Sequence, residues 1–493
     1  MASPHPAVPQ DRIGKIEQAG VEYIPESGRD SKPLNVFAVF TGANLTWAIV
    51  IYGWLPIALG LNFWGALTSS LTGLIIGCVL VGPVAMIGPR TGTNMTVASG
   101  AFFGIRGRLI GSGLALVLAI AYGALAVWTS GDALVAASAR LLGTPDSNWA
   151  KAIAYAILSA GIVVVALYGH ATIVAVQKVV IPVAGLVLVV GVFVFASRFD
   201  PNVTTADYAL GGYWQTWALS AVLAFATAPS YVTNISDYTR RISQYKYSDL
   251  QVVGSVGLGL FVGNVIPMVF GMYTAATLID PTDSYMTDLV NAAPSWYVLL
   301  ILVVALAGGV GQGVLNLYSS GLDLEGLIPK LPRVQTTAIT AALAVVLLYA
   351  GVFLLNAVDS LTALTLVLNA ITVPWVAIMI IGAIRTRTTG FDPVDIQAYV
   401  SGRKGGRYWF TAGWNLPAVA AWLAGSIFGI LAVDCQLYTG PLAGFAGGID
   451  LSCIGSAAIA TCVYLISLPF ASRRPTASEA LTSTDTPVIA HSE

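Results

Sequence analysis

Charge is scarce in this sequence. Only 10% of its 493 residues are Asp, Glu, Lys or Arg, and the formal net charge is -1. Nucleic acid binds proteins largely through phosphates and needs a concentrated basic surface, so no nucleic-acid partner is expected. Histidine is scarcer still, limited to His5, His170 and His491. Two of these lie in the tails, which argues against a histidine-based hydrolase or a histidine-rich metal centre. No P-loop, HExxH or CxxC pattern occurs among the residues. The chain is therefore not expected to be an enzyme, and no metal or cofactor is expected. Of the four cysteines, Cys78 and Cys462 sit in apolar runs and read as small apolar side chains. Cys435 and Cys453 are both placed near the outer face, where they could pair.

What fills the chain is hydrocarbon. Hydrophobic residues make up 56% of it, and the mean hydropathy is +0.78, a composition that belongs in lipid. A helix needs about 20 apolar residues to cross a bilayer. Stretches of that order run over 35–59, 63–87, 109–139, 150–168, 171–196, 214–236, 254–278, 296–320, 336–356, 361–384, 414–433 and 452–471. The fold class is thus an all-α polytopic membrane protein with twelve transmembrane helices. Residues 1–34 and 472–493, rich in Pro, Ser, Thr and mixed charge, read as disordered tails.

Lysine and arginine orient the chain, because short loops retain them on the cytoplasmic side. With an inner N-terminus, Arg90, Arg106 and Arg108 follow the second span, and Arg240, Arg241 and Lys246 follow the sixth. Arg385, Arg387, Arg403, Lys404 and Arg407 follow the tenth. Together with the tails and the loop after the eighth span, the inner side holds nineteen of the 23 basic residues. Three (Arg140, Lys151 and Arg198) fall outside, and Lys178 lies within a span. The expected location is the cytoplasmic membrane, multi-pass, with both termini cytoplasmic. Asp280, Asp283 and Asp288 give one outer loop an acidic character, in a stretch long enough for a short lid helix or an ordinary solvated loop.

Two spans are weakened at corresponding places. The first carries Gly42, Asn44, Thr46 and Trp47 in "TGANLTWAIVIYGW". The sixth carries Pro229, Ser230, Tyr231, Thr233 and Asn234 in "APSYVTNISDYTRR". Freed backbone groups at membrane depth must line a cavity, so such a pair points to a carrier whose site lies at the midplane. Gln312 and Asn316 stand four apart, on one face of a glycine-loosened eighth span. An Asn or Gln carboxamide offers donor and acceptor side by side, and Trp47 and Tyr231 add aromatic faces to the two weakened spans. Asp132, deep in the third span, and Lys178 are ionisable groups that hydrocarbon does not tolerate unpaired.

Read in order, "MIGPRTGTNMTVASGA" with "FFGIRG", "SYVTNISDYTR", "GVGQGVLNLYSSGLDLEGL", "PWVAIMIIGAI", "GRYWFTAGWNLPAVAAWLAG" and "YTGPLAGFAGGIDLS" resemble the nucleobase:cation symporter family, in its purine-cytosine permease branch, from about Leu34 to Phe470. The resemblance implies a leucine-transporter-like five-plus-five inverted repeat. The first repeat would cover 35–196 and the second 197–384, followed by a cytoplasmic loop (385–413) and two additional helices (414–471). It implies import of a nucleobase (cytosine or a purine) by cation-coupled alternating access. The substrate would lie among Asn44, Thr46, Trp47, Tyr122, Ser230, Tyr231, Asn234, Gln312 and Asn316. Two departures stand out: the family's stacking tryptophan falls at Tyr122, and an amide one turn later falls at Ala126. In sodium-driven relatives the cation sits between first-helix carbonyls and eighth-helix hydroxyls. Here the latter positions are Val310 and Gly311, which favours a co-transported proton over sodium, with Lys178 and Asp132 as coupling residues. A vitamin or nucleoside carrier of thiamine or pyridoxine type is the alternative on the same scaffold; an amino acid carrier or a channel is less favoured.

Overall fold

The computed structural model describes residues 13–14, 20–204, 206–278, 284–354, 357–435, 437–446 and 450–468. Among the described residues, nine helices are long and apolar enough to cross a membrane, ten if a bent pair counts as one. Two shorter apolar helices, Leu416–Ala432 and Ser452–Ser467, occupy the eleventh and twelfth positions. Among the described residues the regular structure is helical, with a two-strand ribbon at Asp434–Cys435 and Tyr438–Thr439.

The first span is broken. Helices Pro33–Asn44 and Trp47–Ala58 meet at 57° across Leu45 and Thr46. The sixth behaves differently from the sequence expectation: Tyr213–Ser230 and Val232–Thr239 are separated only by a turn at Tyr231 and run on as one span. Pro229 removes a donor, but the chain closes over the gap, with the Tyr231 N-H given to the Ala228 carbonyl at 3.1 Å.

The packing shows the internal repeat. With helices 4 and 9 at Asn148–Leu167 and Arg333–Leu354, helix 1 lies on helix 7 (Asp249–Ala275) and helix 6 on helix 2 (Phe63–Val81); helix 1 touches helix 5 (His170–Phe195) and helix 6 touches helix 10 (Ala357–Thr389). Helix 8 packs on helices 4, 5 and 9, while helix 3 packs on helices 9, 10 and 4. Shifting each number by five, and counting on from ten to one, turns one set of contacts into the other, and the long helices 3 (Arg108–Leu142) and 8 (Ser295–Leu327) pack against each other. Helices 11 and 12 pack on each other and on helix 10, which joins them to helices 6 and 3.

Glycine makes the two equivalent crossings possible. A Cβ on Gly73 of helix 2 would stand 1.9 Å from the Ala221 carbonyl of helix 6, and one on Gly271 of helix 7 would stand 2.0 Å from the Val50 carbonyl of helix 1. Without a hydrophobic drive between helices in lipid, such backbone approach supplies the packing.

The N-terminal segment corrects the expectation of a disordered tail through residue 34. From Gly20 onward it is folded, with Val21 and Ile24 each 1% exposed. Ile24 donates its N-H to the Gly92 carbonyl at 2.9 Å, and Ser31 donates to Arg241 at 2.9 Å. The Arg240 Nη1 reaches the Gly20 carbonyl at 2.9 Å, and Gln397 Nε2 reaches Val21 at 3.1 Å. This strap spans the ends of helices 2 and 6 and the loop after helix 10. Of the acidic outer loop, Asp280 and Asp283 lie outside the described residues, and Asp288 falls in a short helix, Tyr285–Ala292. Cys435 and Cys453 are both free rather than paired.

Candidate functional site

A cavity of about 380 Å³ lies between helices 1, 3, 6 and 8. Six of the nine substrate candidates line it: Tyr122, Ser230, Tyr231, Asn234, Gln312 and Asn316. The turn at Tyr231 brings Ser230 and Asn234 to the same wall, and four-residue spacing does the same for Gln312 and Asn316.

Asn44 stands behind this wall. Tyr231 donates its hydroxyl to Asn44 Oδ1 at 2.9 Å, and Asn44 Nδ2 donates to the Phe40 carbonyl at 2.7 Å. The broken first helix thereby holds the sixth. Thr46 and Trp47 are not brought to the cavity. Both are fully buried beside it, and Trp47 Nε1 donates to the Ile301 carbonyl at 3.2 Å while its ring faces Phe270. Once the helix bends at Leu45, the residue after the break turns toward helices 7 and 8.

The cavity walls carry unmatched polar atoms. Gln312 is 2% and Asn316 4% exposed, and neither Gln312 Oε1 nor Asn316 Nδ2 has a hydrogen-bond partner among the described residues. A buried acceptor and a buried donor left open cost about 1 to 3 kcal/mol each unless something fills them. The apolar part of the wall is Ile49, Leu118 and Ala119. Tyr52, which the sequence reading passed over, also lines the cavity, and its hydroxyl shares a 2.7 Å hydrogen bond with Thr365 of helix 10. Its signal was present: a lone aromatic hydroxyl two turns after Asn44 in an otherwise apolar run. Behind Tyr231 the rings of Phe40, Tyr238 and Tyr318 follow in a row, edge-to-face at the first two contacts and tilted at the third, with successive centroids 5.7 to 5.8 Å apart, and Arg333 lies over Tyr318 at 4.5 Å. Helix 1 is thus tied to helix 10 through Tyr52 and, through Phe40, to the ring of Tyr231 on helix 6.

The two coupling candidates lie away from the cavity. Lys178 is exposed on the surface of helix 5, which contradicts its placement in the cation gap. The buried face of that helix runs through Ile173, Gln177, Val180, Ala184 and Val187, and one residue of helix turns the side chain by about 100° off it. Gln177 therefore occupies the gap. Fully buried, it donates Nε2 to the Gly311 carbonyl at 2.8 Å, while its Oε1 lies so near Gly42 that a Cβ there would be 2.5 Å away. Asp132 is half-buried and already engaged, accepting from the Tyr155 hydroxyl at 2.5 Å and from Trp128 Nε1 at 2.9 Å.

Taken together, a broken first helix, an inverted repeat and a cavity lined by polar side chains between helices 1, 3, 6 and 8 define a carrier of the inverted-repeat class. Residues 23–454 match the family model for permeases of cytosine/purines, uracil, thiamine and allantoin, and the chain belongs to that family of transporters rather than to an enzyme family. A putative purine-cytosine permease, YxlA of Bacillus subtilis (strain 168), is 25% identical over 482 residues, covering 95% of this chain and 100% of the relative. The fold is also that of Mhp1, a nucleobase-cation-symport-1 family transporter solved closed with bromovinylhydantoin bound, at TM-score 0.71, 18% identity, and 92% and 94% coverage of the two chains. Mhp1 in its inward-facing conformation matches at TM-score 0.71 over 97% and 99%. A sodium-coupled sialic acid symporter matches at TM-score 0.61, 12% identity and 92% of each chain.

Proposed function

We propose that this chain imports a nucleobase, cytosine or a purine, across the cytoplasmic membrane by alternating access, coupled to protons rather than sodium. The observation that carries the reading is the open acceptor on Gln312 and the open donor on Asn316, side by side in a cavity walled by Tyr122 and Tyr231. A flat, neutral heterocycle with donors and acceptors along one edge satisfies both, and each aromatic face stacked on it adds about 1 to 3 kcal/mol. Among the described lining residues there is no carboxylate, which weighs against thiamine, a cation, and against an amino acid, whose ammonium needs a partner.

Gln177 supports the coupling assignment. Its amide N-H occupies the Gly311 carbonyl, so a sodium ion between helices 1 and 8 would have to displace it. A carboxamide does not titrate near neutral pH. The coupling proton is therefore assigned to a carboxylate, with Asp132 first. Uptake of radiolabelled cytosine, adenine, hypoxanthine and uracil into proteoliposomes, under an imposed pH or sodium gradient, tests the reading. Accumulation of at least one base driven by the pH gradient alone is the expected result; accumulation that follows sodium, or none with any base, overturns it. Counterflow separates carrier from channel, because unlabelled internal substrate accelerates labelled entry only through a carrier.

A further inference from the structure

A second cavity, of about 600 Å³, lies far from the first, among the loop after helix 2, the end of helix 10, the following loop and the end of helix 12. Its lining combines Arg385, Thr386, Arg407 and Asn415 with Phe102, Phe410, Tyr464 and Leu468, so that it offers both charged and apolar groups. Arg385 is exposed and Arg407 half-buried, and neither makes an ion pair among the described residues. The nearby carboxylate of Asp395 is spoken for: it is 4% exposed, pairs with Arg403 at 3.3 Å and accepts the Arg407 backbone N-H at 2.6 Å. Asn415, also 4% exposed, donates Nδ2 to the Phe102 carbonyl at 2.6 Å and leaves its Oδ1 without a partner among the described residues. Next to the cavity, Ile384, Leu465 and Ile466 are 58%, 48% and 71% exposed, an apolar flank continuing into the lipid-facing surface.

We infer that this cavity is a binding site for an anionic phospholipid whose headgroup carries hydroxyls, held at the face that the arginine bias assigns to the cytoplasm. Two guanidiniums without a carboxylate partner, that of Arg407 resting 5.8 Å over the Tyr408 ring, take the phosphate through charge-assisted hydrogen bonds. The open Asn415 oxygen accepts a headgroup hydroxyl, and the acyl chains run along Ile384, Leu465 and Ile466. Basic pockets between helices at the cytoplasmic side are suited to such headgroups, because anionic lipid concentrates there. The lipid would bridge the helix 10–12 group to the loop after helix 2.

The test uses the full chain, purified in detergent and followed by thermal unfolding. Phosphatidylglycerol is expected to raise the Tm of the parent by several degrees, with phosphatidylcholine giving no comparable shift. The R385A/R407A variant should lose the phosphatidylglycerol response, while R385K/R407K keeps part of it. Both variants must match the parent's elution profile and its Tm in phosphatidylcholine, which separates loss of a site from loss of fold. Should R385A/R407A fail that check, native mass spectrometry of the parent, counting phosphatidylglycerol retained against phosphatidylcholine, decides in its place. Inorganic phosphate and glycerol 3-phosphate are the soluble arms, expected to leave the Tm unchanged. An equal shift from phosphatidylcholine, a shift from soluble phosphate that matches the lipid, or a full response in the alanine variant would each overturn the assignment.

Discussion

At the scale of single residues, a helix has faces, and adjacent letters fall on different ones. Gln177 and Lys178 show this directly: the charged residue drew attention in the sequence, but the buried periodicity of Ile173, Val180, Ala184 and Val187 selects its neighbour. Lys178→Met should therefore transport like the parent under a pH gradient, whereas Gln177→Ala should change the rate or the ion dependence of uptake. Within the cavity, Asn316→Ala or Gln312→Ala should weaken binding of the transported base by about 1 kcal/mol, roughly fivefold, as read by competition against labelled uptake. Tyr122→Ala should cost about 1 to 3 kcal/mol while Tyr122→Phe retains most of the affinity, since the face does the stacking. Asp132→Asn should abolish proton-driven accumulation and leave counterflow in place. Loss of both activities would instead mark Asp132 as a clamp between helices 3 and 4.

Elements decide how closely these side chains are held. The crossings of helix 2 with helix 6 and of helix 7 with helix 1 place backbone against backbone, and Gly73 and Gly271 are where they touch. Even a methyl group there meets a carbonyl, so Gly73→Ala and Gly271→Ala should each destabilise by about 1 to 3 kcal/mol or more, seen as lost monodisperse yield and a lower Tm. Gly161→Ala is the control, because a Cβ there meets nothing within 4 Å. The sequence marked both weakened spans, but not how differently they yield. At Leu45 and Thr46 the first helix turns by 57°, while Tyr231 interrupts the sixth without a comparable bend. Proline and glycine show where a helix can open, and the neighbouring helices determine whether it does.

Across the whole molecule, the strap from Gly20 to Ser31 is the feature with the widest reach. It joins the ends of helices 2 and 6 and the loop after helix 10 through Gly92, Arg240, Arg241 and Gln397, so separating those elements requires these hydrogen bonds to break. Removal of residues 1–31 should favour opening there. In a background lacking the four native cysteines, a single cysteine at Ser319 should then react with maleimide several-fold faster than in the full chain. An unchanged rate would show that the strap follows the helices without restraining them. The strap escaped the sequence reading because its contacts are made by backbone groups and by arginines on distant helices, and no periodicity advertises such pairing.

The sequence alone determined the solvent, the helices and their order, because apolar length and arginine placement are properties of the chain read locally. It also put Ser230, Tyr231, Asn234, Gln312 and Asn316 in one candidate set, since each is a polar or aromatic group out of place in lipid, and the family resemblance added Tyr122. Only the tertiary structure decided which of the set share a cavity, that Trp47 packs instead against Phe270, that Gln177 rather than Lys178 enters the gap at Gly42, and that a tail residue such as Val21 is buried. Those outcomes depend on the direction a side chain takes when two helices bend and cross, and that direction is set by the partner helix.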